Sequence, residues 1–414
     1  CGNSVIGWDY FEGQLIPDEA EVARVNPFDW EKAFPEVFSN GGFDAVIGNP
    51  PYVRIISLEE DKDYYKYKYK SASGAYDIYI LFMERAIFLN KRKGLIGFIT
   101  PNKYFVADYG TKLRDLLFTK TKLTSISDLG KCKSVFKDAL ISTAITIYSN
   151  NYPSDKIRIK ILTDENVIDI NKISFQSVPL NQIKSRNNTI QIYAENRTNS
   201  ILKKIYESSD LLEDVANVRT GIMGFDYWSM DKYIDDNNSG VRIATNSYID
   251  RYKFLWGKKV RLYKRTVFDP RLTIECKILN DNTLELFSSP KIVVRGVAKR
   301  LTAMYDDSGI GILVAVHSVI GSKYSDLFLL GLLNSRLFNW IHLIQFYSAR
   351  IPEGSLRYPI SFLSNLPIKI IDLNNLENLK LYDRMICLVN NMLELHKRTP
   401  QTPYEQERLN REIA

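Results

Sequence analysis

The sequence predicts an α/β fold at its start, a mixed α+β region after it and helices at its end. Three patterns carry this. Up to about residue 150, short apolar runs rich in β-branched residues alternate with helix-spaced segments. Residues 211–370 mix short strand-like runs with Gly and Pro turns, and residues 371–414 carry apolar side chains at three-to-four spacing. The expected organisation is a first domain over 1–185, a helical linker over 186–210, a second domain over 211–370 and C-terminal helices over 371–414.

The elements follow in order. Phe43-Asp44-Ala45-Val46-Ile47-Gly48 is a short apolar strand stopped by Asn49-Pro50-Pro51. Tyr76–Lys91 places Ile80, Leu81, Met83, Ala86, Ile87 and Leu89 on one helical face. Lys91-Arg92-Lys93-Gly94 is expected to close that helix with cations and a glycine cap. Leu95–Thr100 reads as a strand ended by Pro101, Lys112–Phe118 as a helix, and Leu123–Asp128 and Ile141–Ser149 as strands. Strands alternating with helices predict crossover units on a mostly parallel sheet. Beyond a loop at Asn150–Ser154, Glu195–Ser208 reads as a helix. Leu327–Phe346 reads as one apolar helix or two, Leu376–Lys397 as an amphipathic helix, and Gln401–Ile413 as the start of another.

Composition narrows the function classes. The chain has 414 residues, 55 Lys and Arg against 48 Asp and Glu, and a net charge of +7. A surplus of that size suits a polyanionic partner without requiring one. Cys1, Cys132, Cys276 and Cys387 are far apart, so neither a zinc knuckle nor a disulfide framework is expected. His317, His342 and His396 do not pair at ligand spacing. No apolar run is long enough to span a bilayer, so no membrane partner is expected. The chain opens on Cys1 rather than Met and reads as a fragment.

Asn49-Pro50-Pro51-Tyr52 is the motif that carries chemistry. As a plain turn it would be unremarked, but chance places this tetrapeptide in such a chain on the order of one time in a thousand. It sits at the carboxyl end of a strand, where α/β sheets bind ligands. An amine conjugated to an aromatic ring is a poor nucleophile because its lone pair is delocalised into the ring. Two acceptors holding its protons would draw the nitrogen towards tetrahedral geometry. The Asn49 side-chain oxygen and the Pro50 carbonyl form such a pair, since proline adds no competing donor. Tyr52 adds an aromatic face beside them.

These residues resemble the catalytic motif of amino-methylating, S-adenosylmethionine-dependent DNA methyltransferases, and the tyrosine form favours the N6-adenine enzymes. The wider text, from Cys1-Gly2-Asn3-Ser4 through Phe28-Asp29-Trp30 to Gly42–Arg54, resembles the modification half of type IIG restriction–modification enzymes. Asp77–Phe82 and Gly94–Pro101 are similar to the blocks that follow there. Residues 211–370 look like a TaqI-like target recognition domain, through Arg219-Thr220-Gly221-Ile222-Met223 and Ser364-Asn365-Leu366-Pro367-Ile368. The resemblance implies a partial Rossmann-like methyltransferase sheet followed by a mixed α+β recognition domain. It implies double-stranded DNA as partner and the bacterial or archaeal cytoplasm as location. It also implies that Phe136, within Val135-Phe136-Lys137-Asp138-Ala139, lies against the target base opposite Tyr52, although a core aromatic would read alike. Asn3 resembles the residue that contacts the cofactor adenine, and a loop asparagine would look the same. The glycine-rich loop for the methionine end of S-adenosylmethionine has no match before Asn49. It is expected in a preceding portion of the same polypeptide, together with the rest of the sheet and a nuclease. This portion alone is therefore expected to be inactive.

Weaker signals concern nucleic acid. Tyr64-Tyr65-Lys66-Tyr67-Lys68-Tyr69-Lys70 interleaves cations and rings, as phosphate neutralisation and stacking would use them. A solvated helix backed by tyrosines gives the same pattern. Lys258, Lys259, Arg261 and Arg265 form one basic cluster, and Arg295, Lys299 and Arg300 another. With Arg219 and the Lys66, Lys68 and Lys70 run, these are the expected DNA contacts. Asp269 with Glu275-Cys276-Lys277 superficially matches a metal-nuclease pattern, at too short a gap. Two other readings stay open. One is a DNA-binding specificity module without activity as it stands. The other is a methyltransferase acting on RNA or on a protein glutamine.

Overall fold

A computed structural model of the chain describes residues 2–129, 142–162, 173–184, 188–192, 196–221, 232–235, 240–257, 259–262, 265–273, 275–276, 279–313, 315–345, 355–398 and 400–413. It divides into two compact units, Cys1–Asn196 and Arg197–Ala414.

The first unit is built on one six-stranded sheet. Its strands are β1 (Phe43–Gly48), β2 (Asn90–Pro101), β3 (Lys122–Asp128), β4 (Thr143–Ser149), β5 (Lys156–Ile161) and β6 (Gln176–Pro179), in the spatial order β1-β2-β4-β3-β5-β6. β1 and β2 are parallel, as are β3 and β5, but β4 runs antiparallel to both neighbours and β6 antiparallel to β5. The sheet is therefore mixed rather than mostly parallel. The cause is β4, which lies between β2 and β3 and runs antiparallel to both.

Helix Tyr79–Leu89 makes the crossover from β1 to β2 and buries Tyr79, Ile80, Leu81, Met83 and Ala86 against the sheet. Lys91–Gly94 does not cap this helix, as the cations and glycine suggested. The chain becomes extended at Asn90, and β2 begins there. The Asn90 amide donates to the carbonyls of Phe43 and Leu95, fastening the start of β2 beside β1. Helix Thr111–Lys120 buries Arg114, whose guanidinium donates to the carbonyls of Tyr104, Ala107 and Asn188. Burial pushes that group down to about 10. β1 forms an edge of the sheet, and Ile47 near its end is 86% exposed.

The second unit carries an antiparallel four-stranded sheet in the order Ala303–Asp306, Lys291–Arg295, Val316–Ile320, Asn217–Thr220. Ile292, Val294 and Val319 from it join Leu329, Leu330, Leu333, Phe338 and Ile341 in one apolar core. The apolar stretch from Leu327 is two helices, Asp326–Leu333 and Arg336–Gln345, bent by 57° at their break. Helix Leu376–Lys397 lays Met385 and Val389 directly over Gly331. A β-carbon there would stand 2.9 Å from both, so only glycine admits the approach. Among the described residues, no single helix is long and apolar enough to cross a membrane.

A second, smaller sheet orders Gly311–Ile312, Val241–Ala244, Arg271–Leu272 and Ile234–Asp235. The hairpin Val260–Leu262/Arg265–Val267 packs Val260, Leu262 and Val267 into the same cluster as Ile243 and Leu272. Lys291 and Asp306, both buried, pair at 2.6 Å. Lys291 also donates to the carbonyl of Phe287 at the end of helix Asp281–Ser288, and Asp306 accepts from the backbone of Ser308 and Ile310.

Candidate catalytic turn and nucleic-acid surface

The Asn49–Tyr52 turn leaves the carboxyl end of β1, alongside its parallel partner β2. Gly48 stands opposite Phe98 in the register. A β-carbon on Gly48 would lie 2.6 Å from the Phe98 ring, so glycine lets the strand end close against β2. Pro50 is buried, while Asn49 and Pro51 are exposed. The turn's exit is fastened by the backbone. Ile55 N–H donates to the Tyr76 carbonyl at 2.9 Å, and Ile78 N–H to Val53 at 2.8 Å.

The Tyr52 hydroxyl lies 3.0 Å from Asn49 Oδ1 and 3.3 Å from the Ile99 carbonyl on β2. Burial raises this phenol above its ordinary value, so it remains a donor. The Tyr79 ring meets the Tyr52 ring edge-on, with centroids 6.3 Å apart. Behind it, the hydroxyls of Tyr79 and Tyr109 are 2.9 Å apart, and Tyr109 reaches Asp77 at 3.5 Å. Burial pushes the Asp77 carboxyl up, against the pull of Lys103 and Arg54. The sequence showed the motif; it did not show this supporting chain of Tyr79, Tyr109 and Asp77, because residues 30 positions apart meet only through the crossover.

Asn3 lies on a loop. Its side-chain oxygen accepts from Val5 N–H at 3.2 Å, and its backbone bridges to Pro27. Phe136 lies outside the described residues, as do Val135 and Lys137–Ala139 around it.

The tyrosine–lysine tract is helix Lys62–Lys68 and the residues after it. Tyr65 and Tyr69 are buried, with Tyr69 donating to the Val5 carbonyl, and Tyr64 hydrogen-bonds Asp9. These rings hold the helix to the chain's first residues. Lys68 is paired with Asp9 at 2.5 Å. Lys66 and Lys70 are exposed, as is Tyr67 at 82%. The outward side of the tract thus keeps two of its three lysines unpaired by carboxylates among the described residues.

In the second unit, Arg219 is exposed on the outermost strand of the larger sheet and bonds Asn217. Lys259 precedes the hairpin and is exposed; Lys258 and the side chains of Arg261 and Arg265 lie outside the described residues. Lys299 and Arg300 are exposed, and Arg295 is half-buried. Burial and the nearby charges of Arg251 and Arg336 depress Arg300, against Asp250. Arg251 and Arg336 thus join a basic group that sequence order alone did not assemble.

The first unit is a mixed α/β unit in which the turn follows a strand of a parallel pair. Residues 7–136 match the family model described as the Eco57I restriction-modification methylase, and residues 231–368 match the TaqI-like C-terminal specificity domain. The chain therefore carries one segment that matches a restriction-modification methylase model and another that matches a specificity-domain model. It is 29% identical over 228 residues to the type II restriction enzyme and methyltransferase RM.Eco57I of Escherichia coli, covering 53% of this chain and 21% of that protein. A protein of Methanocaldococcus jannaschii, provisionally named a type II restriction enzyme and methyltransferase, is 26% identical over 388 residues, 87% of this chain and 30% of its own length. The chain thus spans less than a third of either relative. Among solved structures, the type IIL restriction-modification enzyme MmeI in complex with DNA shares the fold, with a TM-score of 0.52 at 13% identity over 86% of this chain and 50% of that one.

Proposed function

We propose that this chain is the catalytic-turn and recognition portion of a site-specific, adenine-N6 DNA methyltransferase of a restriction–modification system. The observation that carries it is the Asn49–Tyr52 turn at the end of the β1–β2 parallel pair, with an acceptor oxygen and an aromatic face side by side.

In this reading a target adenine leaves the duplex and stacks on Tyr52, which offsets part of the unstacking cost. The entering amine displaces the Tyr52 hydroxyl from Asn49. One N6 proton is then held by Asn49 Oδ1 and the other by the Pro50 carbonyl, which localises the nitrogen lone pair. Pro50 is buried and Asn49 is tethered at a fastened turn, so the pair is preorganised. Phe136 covers the base from the other side.

S-adenosylmethionine supplies the electrophilic methyl when bound. Of the residues present, those of the turn at the carboxyl end of β1 would face its reacting end, and Asn3, whose oxygen accepts from Val5 N–H and keeps a second lone pair, would meet its adenine. The glycine loop and remaining strands belong, in this reading, to the preceding portion of the same polypeptide. The basic residues of the second unit hold double-stranded DNA, and the natural setting is the bacterial or archaeal cytoplasm.

The test is a labelled-methyl assay on mixed-sequence duplex with the complete polypeptide, followed by nucleoside analysis. N6-methyladenine is the expected product. Methylcytosine, or label in RNA or protein instead of DNA, would overturn the reading.

A further inference from the structure

Within the second unit, Arg242 and Arg271 stand directly opposite each other on antiparallel strands. Like charges in that register repel, so the arrangement needs a reason. Both guanidiniums lie over the ring of Trp256, at 5.3 and 6.0 Å from its centroid. Trp256 is itself held by Phe254, stacked at 5.2 Å, and by the buried Tyr248 at 5.4 Å.

The two cations differ in their surroundings. Arg271 is 14% exposed, pairs with Asp269 at 3.4 Å and lies across from Asp235 in the strand register. Its charge is compensated within the fold. Arg242 is exposed, and among the described residues no carboxylate pairs with it. Its neighbour Arg271 repels it, and the Trp256 face limits the conformations of its long side chain. A guanidinium restricted in this way loses less freedom on binding, and its fork suits the two non-bridging oxygens of a phosphodiester. The charge balance fits too: one uncompensated cation meets one singly charged phosphate.

We propose that Arg242, seated on Trp256, is a backbone-phosphate contact for double-stranded DNA, with Arg271 acting as the positioning residue that fixes the seat. This rests on the DNA-binding reading of the second unit and adds to it a contact that none of the basic clusters in the sequence marks.

The test uses the full 414-residue chain, a labelled mixed-sequence duplex and a salt series. Arg242→Gln is expected to weaken binding at low salt by about threefold to tenfold and to reduce the log–log salt slope by about one. The loss should be equal for duplexes of unrelated sequence. Trp256→Leu should weaken binding less, and the double variant should bind like Arg242→Gln alone, because the ring acts through the arginine. Arg408→Gln, which removes the same charge from the C-terminal helix, should leave the slope unchanged. Wild-type-like binding by Arg242→Gln, with its melting temperature intact, would overturn this inference and leave the DNA reading standing. So would a loss confined to one sequence at constant slope, which marks a base contact. Absence of duplex binding by the unaltered chain would instead remove the DNA-binding reading on which the inference rests.

Discussion

The phenolic oxygen of Tyr52 stands 3.0 Å from the side-chain oxygen of Asn49, within one four-residue turn. The proposed aromatic platform therefore satisfies the proposed acceptor until a base replaces it. The hydroxyl and the ring of Tyr52 have separable tasks, the first holding Asn49 in place and the second stacking.

Asn49→Ala in the complete enzyme should lower kcat by ~100-fold or more, the usual cost of removing a preorganised polar group at a reacting centre. DNA affinity should stay nearly unchanged, because the carbonyl acts chiefly in the transition state. Single-turnover methyl transfer and duplex binding measured together check this. Turnover within about threefold of wild type would reduce the tetrapeptide to a turn.

Tyr52→Phe should keep the ring and release Asn49. Stacking should survive, so kcat should fall by less than about tenfold, whereas Tyr52→Ala should lose the ~1–3 kcal/mol of base stacking. A fluorescent base analogue at the target position reads the difference as retained or lost quenching.

The chain by itself should take up S-adenosylmethionine weakly or not at all and should not methylate DNA. In the proposed reading, only the turn end of the cofactor site lies within this portion. Calorimetric titration followed by a labelled-methyl assay decides it. Micromolar affinity with turnover would show that the cofactor site lies within these 414 residues.

His342 provides a pH signature for the second unit. It is fully buried, stacked on Tyr358 at 4.1 Å, and burial pushes it down to about 3 from 6.5. A base with a depressed folded pKa stabilises the fold fully above its unfolded value. That contribution falls as pH drops below about 6.5, because the unfolded chain takes up a proton the folded one refuses. The slope attributable to it is about 1.4 kcal/mol per pH unit, down towards pH ~3. Denaturant unfolding between neutral and acid pH, with His342→Phe as the flattened comparison, measures it.

Lys291→Met should cost ~3–5 kcal/mol, since it strands the Asp306 carboxylate in a site both side chains share at 2.6 Å. Replacing Asp306 by Leu in the same chain should recover much of that loss. Thermal or denaturant unfolding of the three variants forms the cycle, and additive losses would show that the pair is not coupled.

Local pattern carried much of the fold. The apolar run 43–48, the helix spacing around Leu81 and Ala86, and the β-branched stretch 143–149 sit in the expected elements, because each is fixed by its own side-chain period. Strand direction was not legible. Whether β4 pairs parallel or antiparallel with its neighbours depends on which edges it can reach, and no residue in β4 records that. Lys91–Gly94 misled because cations and glycine end helices, yet the Asn90 amide had already turned the chain into a strand. At the site, Asn49–Tyr52 is contiguous and could be read directly. Arg242, Trp256 and Arg271 are brought together only by strand register, so a linear search for basic runs passes over them. Tyr65 and Tyr69 looked like a nucleic-acid tract because burial is invisible to a pattern of alternating rings and cations.

The position of β4 between β2 and β3 sets the order in which this sheet can be completed as the chain leaves the ribosome. β3 is made before β4, yet the only strand that joins it to β2 is β4. Until residue 149 has emerged, β2 and β3 have a gap one strand wide between them, and their facing backbone groups have only water to pair with. The parallel β1–β2 pair, with the turn that follows β1, can therefore dock early, while β3 can join it only through the later β4. A ribosomal pause before Ser149 would hold the nascent chain with one edge of β2 and both edges of β3 unmatched, the state most open to pairing with another chain.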